Sequence, residues 1–292
     1  MTQDLMVVDG LSKTFSAGGG LFRKPKSNLA VDDVSFTVGH GETFALVGES
    51  GSGKSTIGRM LNRLLEATSG RILFEGTDVG ALDAGQLRTL RRDVQFIFQD
   101  PFASLDPRLK IGEAIAAPIR LHGLRQGSAV GERVLELLGL VGLGPQHVNR
   151  FPHEFSGGQR QRVAIARALA VEPRLIICDE PVSALDLSVQ AQVVNLLVDL
   201  QKRLGISYVF ISPDMAVVRH LATHVGVLYA GRIVEMGPAR VVFANPRHPY
   251  TRALLQASPS PVVSDAQARR KPLAGEPPSP YDRPPGCDFA SR

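Results

Sequence analysis

The sequence predicts an α/β fold with parallel strands at its centre, and three stretches carry that expectation. Residues 43–47 form a short apolar run that passes through a glycine-rich segment into helical spacing, which reads as strand, loop and helix in direct succession. Residues 175–178, Leu-Ile-Ile-Cys, are a second apolar run that ends on two acids, the pattern of a parallel strand covered on both faces. Residues 166–243 alternate helical and strand periodicity, as expected where helices pack on a sheet.

Residues 4–98 hold apolar runs read as strands near 5–8, 31–38, 43–47, 72–74 and 94–98, with a helix over 56–65. The stretch from about 100 to 165 is helix-rich, and 111–121 and 130–138 repeat apolar side chains at helical spacing. A helix is expected over 160–170. Residues 208–212 read as a strand running into a helix that carries His220 and His224. Residues 225–229 and 232–235 flank an Ala-Gly pair, which signals a hairpin. Frequent prolines from Pro259 onward predict an extended tail. No internal repeat is evident.

A chain of 292 residues has room for a sizeable core and suggests one α/β unit with an extension. No run reaches the roughly 18 apolar residues of a membrane span. Met1-Thr-Gln-Asp-Leu lacks the charged-then-apolar pattern of a signal peptide, so a cytoplasmic chain is expected. The net charge of +5 is mild. Basic residues near 23–26 and 269–271 could face lipid head groups or nucleic acid, but such groups more often form solvated surface, and no nucleic-acid partner is expected. Cys178 falls in a predicted buried strand and Cys287 in the tail, so no disulfide is expected and a reducing compartment fits. One tail cysteine does not supply the about four thiolates of an iron–sulfur cluster.

Residues 48–55 read Gly-Glu-Ser-Gly-Ser-Gly-Lys-Ser, a full match to G-x-x-x-x-G-K-[ST] in the strand–loop–helix setting that motif needs. Glycines let the backbone turn tightly and aim N–H groups at phosphate oxygens. The helix that follows adds its positive end. Gly48, Ser50, Gly51, Ser52, Gly53, Lys54, Ser55 and Thr56 are therefore candidate ligands of a nucleoside triphosphate. Lys54 is expected to reach the β- and γ-phosphates and the Ser55 hydroxyl to bind Mg²⁺. Asp179 and Glu180 emerge at the carboxyl end of their strand, where α/β sheets place ligands. Asp179 is a candidate to hold Mg²⁺ through water. Glu180 is a candidate to polarise or orient the attacking water.

Phe-Ser-Gly-Gly-Gln-Arg-Gln-Arg at 155–162 resembles the signature sequence of ABC ATPases. The resemblance covers about residues 4–260. It implies a P-loop ABC ATPase domain over 1–258 with a helical subdomain at about 100–165, and an ATP-driven transport activity. It also implies a head-to-tail dimer in which Ser156, Gly157, Gly158 and Gln159 face an ATP held by the partner's phosphate loop. By the same resemblance, Gln99 senses Mg²⁺ and water and links to a membrane subunit. Residues 183–186 cross the dimer interface, and Phe15 stacks on adenine; a lone aromatic near the N-terminus is equally often core packing. Asn-Pro-Arg-His-Pro-Tyr-Thr-Arg-Ala-Leu-Leu from Asn245 resembles the C-terminal extension (245–292) of ATPases that serve dipeptide, oligopeptide and nickel importers. The basic insertion at 18–26 resembles the second ATPase of such importers. The implied partners are a second ATPase subunit in a hetero- or homodimer, two transmembrane permeases and, indirectly, an extracytoplasmic solute-binding protein. The implied place is the cytoplasmic face of the inner membrane.

One position departs from the resembled pattern. Residue 213 is proline where the family has a histidine that contacts the γ-phosphate. Proline has no side-chain donor and no backbone N–H. It suits the first helical position, and Ser212 before it suits an N-cap, so an intact fold with a damaged site is expected. Three explanations stand: a naturally degenerate subunit, a deliberate substitution that traps ATP, or an error in the sequence. Three functions compete. The first is the ATP-hydrolysing motor of an importer for peptides or a related solute. The second is a nucleotide-binding regulatory subunit with little turnover. The third is a soluble ABC protein of DNA repair or translation, against which stands the single ATPase unit without long coiled coils.

Overall fold

β3, Thr43–Val47, is buried at every position, so both of its faces are covered and its apolar sequence needs no alternation. In this computed structural model it runs parallel to β9, His224–Tyr229, with Phe44 opposite His224 and Val47 opposite Val227. β10, Arg232–Pro238, returns antiparallel, with Arg232 opposite Tyr229. Ala230 at φ 46° and Gly231 at φ 83° make the turn, the left-handed pair that a two-residue hairpin requires. The expected hairpin is present and extends to Pro238.

The structure describes residues 4–17, 26–100, 104–257, 275, 278, 279, 281, 286–290 and 292. The basic insertion, apart from Lys26, and the basic group at 269–271 lie outside them. The chain divides into two compact units, one of Met1–Leu82 with Phe210–Arg292 and one of Asp83–Val209.

The first unit holds β3, β9, β10 and an antiparallel sheet in the order β2-β1-β4-β5. Those strands are β1 Met6–Ala17, β2 Lys26–Val38, β4 Ser69–Phe74 and β5 Thr77–Asp78. β1 outruns the apolar stretch at 5–8 because pairing with β2 continues past polar residues, through register shifts between Val8 and Thr14. Such bulges keep Val8 and Leu11 buried while the strand bends. Phe36 and Phe44 stack with centroids 4.4 Å apart and close the core between β2 and β3. Helix α1, Lys54–Leu61, ends sooner than its apolar spacing suggests. Arg63 takes a φ of 46° and its N–H turns back to the Met60 carbonyl at 2.9 Å, which stops the helix.

In the second unit, α2 (Ala84–Asp93) is capped by Asp83 in a reciprocal pair with Gln86. It leads into β6, Val94–Ile97, parallel to the fully buried β7, Leu175–Asp179. Helices α3 (Ile111–Leu121), α4 (Ser128–Leu140) and α5 (Gly157–Leu169) pack through Ile111, Ile115, Ile119, Leu137, Leu138, Val163 and Ile165, all fully buried. The expected helices at 111–121 and 130–138 are both there. Helix α6, Leu187–Leu204, ends on Gly205 at φ 68°, where glycine carries no Cβ penalty. β8, Ser207–Ser212, is buried at every residue and its chain continues from the second unit into the first. Three helices complete the first unit: α7 Met215–Leu221, α8 Ala239–Ala244 and α9 Pro249–Ala257.

Candidate functional site

The phosphate loop leaves β3 and enters α1 through residues that only glycine can fill. Gly48 has φ 153°, and a Cβ there would lie 2.2 Å from the Leu228 carbonyl oxygen. Gly53 has φ 105°, and a Cβ there would lie 2.5 Å from the Ala30 carbonyl oxygen. The loop is thus pressed against β9 on one side and β2 on the other. Lys54 folds back over it: its side chain is buried, and Nζ donates to the Gly48 and Glu49 carbonyls, both at 2.8 Å. The ammonium is thereby held above the loop's backbone. Ser52 accepts a hydrogen bond at its carbonyl from the Gly231 N–H, 2.9 Å away. The Ser52 hydroxyl is buried with no hydrogen-bond partner among the described residues, a polar group that a phosphate oxygen suits. Lys54 and Ser55 lie in the first turn of α1, where N–H groups lack intrahelical acceptors and the dipole favours an anion.

Phe15 is 39% exposed on β1, with Lys13 Nζ 5.3 Å from its ring centroid. It is a surface aromatic, not core packing.

Two candidate residues meet in the second unit. The Gln99 side-chain amide donates to the Glu180 carboxylate at 3.0 Å. Glu180 follows β7 in the left-handed region, φ 48°, unusual for a glutamate, and such strain concentrates at functional sites. Ser183 fixes the turn after it, donating through N–H (3.2 Å) and Oγ (3.0 Å) to the Glu180 carbonyl. Asp179 is buried at the end of β7. Cys178 beside it is fully enclosed, and burial pushes its thiol up; it packs the core.

The signature segment is organised by its own serine. Ser156 caps α5: its Oγ accepts from the Gln159 N–H at 3.3 Å, and the Gln159 side chain accepts from the Ser156 N–H at 3.0 Å. That reciprocal cap starts the helix at Gly157, not at residue 160, so both signature glycines are helical. The S-x-x-Q spacing was the signal available for it. A Cβ on Gly158 would lie 2.3 Å from Val189 Cγ1 of α6, so the glycine is what lets the two helix starts approach. Asp186 caps α6, accepting from the Val189 N–H at 2.9 Å and from Ser188 Oγ at 2.7 Å, and the Ser188 hydroxyl in particular holds its carboxyl below the usual range.

Pro213 is exposed and precedes its helix instead of opening it. Asp214 is the N-cap of α7, accepting from the Ala216 N–H at 2.7 Å, while Ser212 Oγ accepts from the Asp214 N–H at 3.0 Å. The aspartate caps the helix two positions later than Ser212 would, and this sets the start at Met215. His220 is exposed on α7, but His224 opens β9, 3.7 Å from Glu42.

Residues 31–183 match the family model described as ABC transporter, and residues 234–292 match the oligopeptide/dipeptide transporter C-terminal region. The chain belongs to the ABC transporter ATP-binding family. It is 54% identical over 278 residues to the glutathione import ATP-binding protein GsiA of Salmonella paratyphi A, and 53% identical to that of Escherichia coli K12. In each case the match covers 95% of this chain and 45% of the relative, so the chain spans about half the length of these relatives. Among solved structures, a dimeric post-hydrolysis state of the ATP-binding cassette MJ0796 bound to ADP and Pi superposes with a TM-score of 0.71 at 31% identity, covering 80% of this chain and 99% of that one. The structure of cbiO1 from Clostridium perfringens, part of an ABC transporter complex, gives 0.72 at 28% identity, covering 83% and 91%.

Proposed function

We propose that this chain binds and hydrolyses ATP to drive an importer for peptides or a related small solute. The observation that carries the reading is the phosphate loop, in which Gly48 and Gly53 admit no side chain and Lys54 is folded over the loop carbonyls. The match of residues 234–292 to the oligopeptide/dipeptide transporter region supports the solute class, as do relatives named for glutathione import. In this reading the loop backbone from Gly48 to Thr56 cradles the phosphates, with Ser50, Gly51 and Ser52 on its wall. Lys54 neutralises charge on the β- and γ-phosphates. Phe15 offers a ring for adenine. Glu180, held by Gln99, orients the attacking water and takes its proton. Ser156 to Gln159 complete the site of a partner ATPase, and permeases in the membrane receive the motion at the membrane's cytoplasmic face. Ser55, Gln99 and Asp179 present oxygen donors of the kind Mg²⁺ prefers and would hold that ion, which shields the phosphate charges when bound.

Titration calorimetry with ATP and Mg²⁺ tests the claim, with Lys54→Ala as control. Saturable binding that the control loses is expected, and no binding at about millimolar ATP, the upper range of common KM values, sinks it.

A second reading rests on Pro213, an exposed residue without a donor. In it the chain binds ATP and lends its signature to a partner while turning over little itself. Multiple-turnover ATPase of the chain separates the two.

A further inference from the structure

The C-terminal region grips the phosphate loop at Glu49. The Glu49 backbone N–H donates to Tyr250 Oη at 2.9 Å. Its carboxylate accepts both terminal nitrogens of Arg292, at 2.7 and 3.2 Å. Its carbonyl is one of the two acceptors of Lys54 Nζ. Backbone donor, backbone acceptor and side chain of one loop residue are therefore all engaged, two of them by residues beyond β10.

The grip is buried. The Tyr250 side chain is fully enclosed, and the Arg292 side chain is 4% exposed despite its charge. Its pairing with Glu49 holds the guanidinium in the charged form. Around them Phe289 lies 5.4 Å from Tyr229, 5.5 Å from Tyr250 and 5.8 Å from His248 between ring centroids. Tyr229 and Tyr250 are 4.5 Å apart. Tyr229 also ends β9, and the turn after it is the one whose Gly231 N–H binds the Ser52 carbonyl. The aromatic cluster thus ties the C-terminal region to the hairpin that supports the other side of the loop.

A loop with glycines at φ 153°, 79° and 105° has much backbone freedom to lose when it closes on phosphate. Contacts that order it beforehand lower the cost at the moment of binding. We propose that Tyr250 and Arg292 are positioning residues which act through Glu49 to pre-order the phosphate loop, so that the C-terminal region sets nucleotide affinity. The proposal rests on the ATP-binding reading above. The bidentate contact requires the guanidinium fork, which a lysine ammonium reproduces only as a point charge.

The test is equilibrium ATP titration and steady-state ATPase of the full chain carrying Tyr250→Phe, Arg292→Gln, Arg292→Lys or Glu49→Gln. Tyr250→Phe and Arg292→Gln should each raise the ATP dissociation constant and KM by roughly three- to ten-fold, the scale of one net hydrogen bond, while kcat holds. Arg292→Lys should recover part of the loss, and Arg292→Gln should cost nothing further in the Glu49→Gln background. Parental affinity in both variants, or losses that add in the double variant, overturns the proposal. Lys54→Ala keeps the two readings apart. If it binds ATP as the parent does, the ATP reading fails. If it loses binding while Tyr250→Phe and Arg292→Gln match the parent, only the positioning proposal fails. Should Arg292→Gln not fold, Tyr250→Phe with hydrogen exchange of the amides at 48–55 decides: faster exchange supports the proposal and unchanged exchange refutes it.

Discussion

Pro213 is a single residue with a chemical deficit but no structural one. Ser212 and Asp214 supply the hydrogen bonds that begin α7 on either side of it, so the fold places no demand on residue 213. A histidine there would add a donor where the proline ring has none. Pro213→His should therefore raise ATP turnover by roughly ten-fold or more, since one transition-state contact is worth a few kcal/mol, and should leave the melting temperature close to its starting value. Turnover measured with the chain in the proposed importer complex checks this, and an unchanged rate means that another group organises the water. The phosphate loop was legible at this scale because its glycine spacing dictates backbone shape and chemistry together. Tyr250 was visible in the sequence only as part of a resemblance. Its link to Glu49 joins residues 201 positions apart, and no periodicity records such a pair.

At the scale of elements, what sequence reading missed was mostly where helices begin and end. Apolar spacing shows that a helix exists, but its first residue is decided by which side chain reaches the free N–H groups. Ser156 and Asp214 moved two such starts, in opposite directions. The start of α9 depends on a partner far off in the chain. The Glu235 carboxylate accepts the Arg247 N–H at 2.8 Å and the His248 N–H at 2.9 Å. Burial opposes its ionisation, yet those bonds more than offset it and its pKa is lowered. Burial also lowers the pKa of His248. Both groups thus bind protons more readily unfolded than folded, so their stabilising share is complete above their ordinary values of 4.5 and 6.5 and declines as pH falls. Thermal melts should show stability falling first below pH about 6.5, as His248 is forced to charge, and again below about 4.5, as Glu235 is neutralised. Glu235→Gln should shrink the lower step and His248→Gln the upper one, while His122, whose pKa burial also lowers, keeps part of the upper step and the lowered carboxyls of Asp106, Glu113 and Asp186 keep part of the lower. A melting profile with the same two steps in both variants contradicts the assignment.

At the scale of the whole molecule, the proposed ATPase pair would take two different contributions from this chain, a phosphate loop for its own nucleotide and a signature for the partner's. In a complex with a different ATPase the two are unequal, because only this chain's own site contains Pro213. Ser156→Arg, which places a large cation on the signature surface, should abolish transport. Glu180→Gln should matter less if Pro213 already slows the site that it disables. Mass measurement of the complex comes first, and in a heterodimer equal losses in the two variants refute the asymmetry. The aromatic cluster has a different kind of consequence. The sequence contains no tryptophan and four tyrosines, of which Tyr229 and Tyr250 meet at Phe289 beside the loop. Tyr208 is buried in the second unit and Tyr281 is about half exposed. Half of the chain's phenol chromophores therefore stand at one spot, and near-ultraviolet circular dichroism should respond when nucleotide orders the phosphate loop, without any added label.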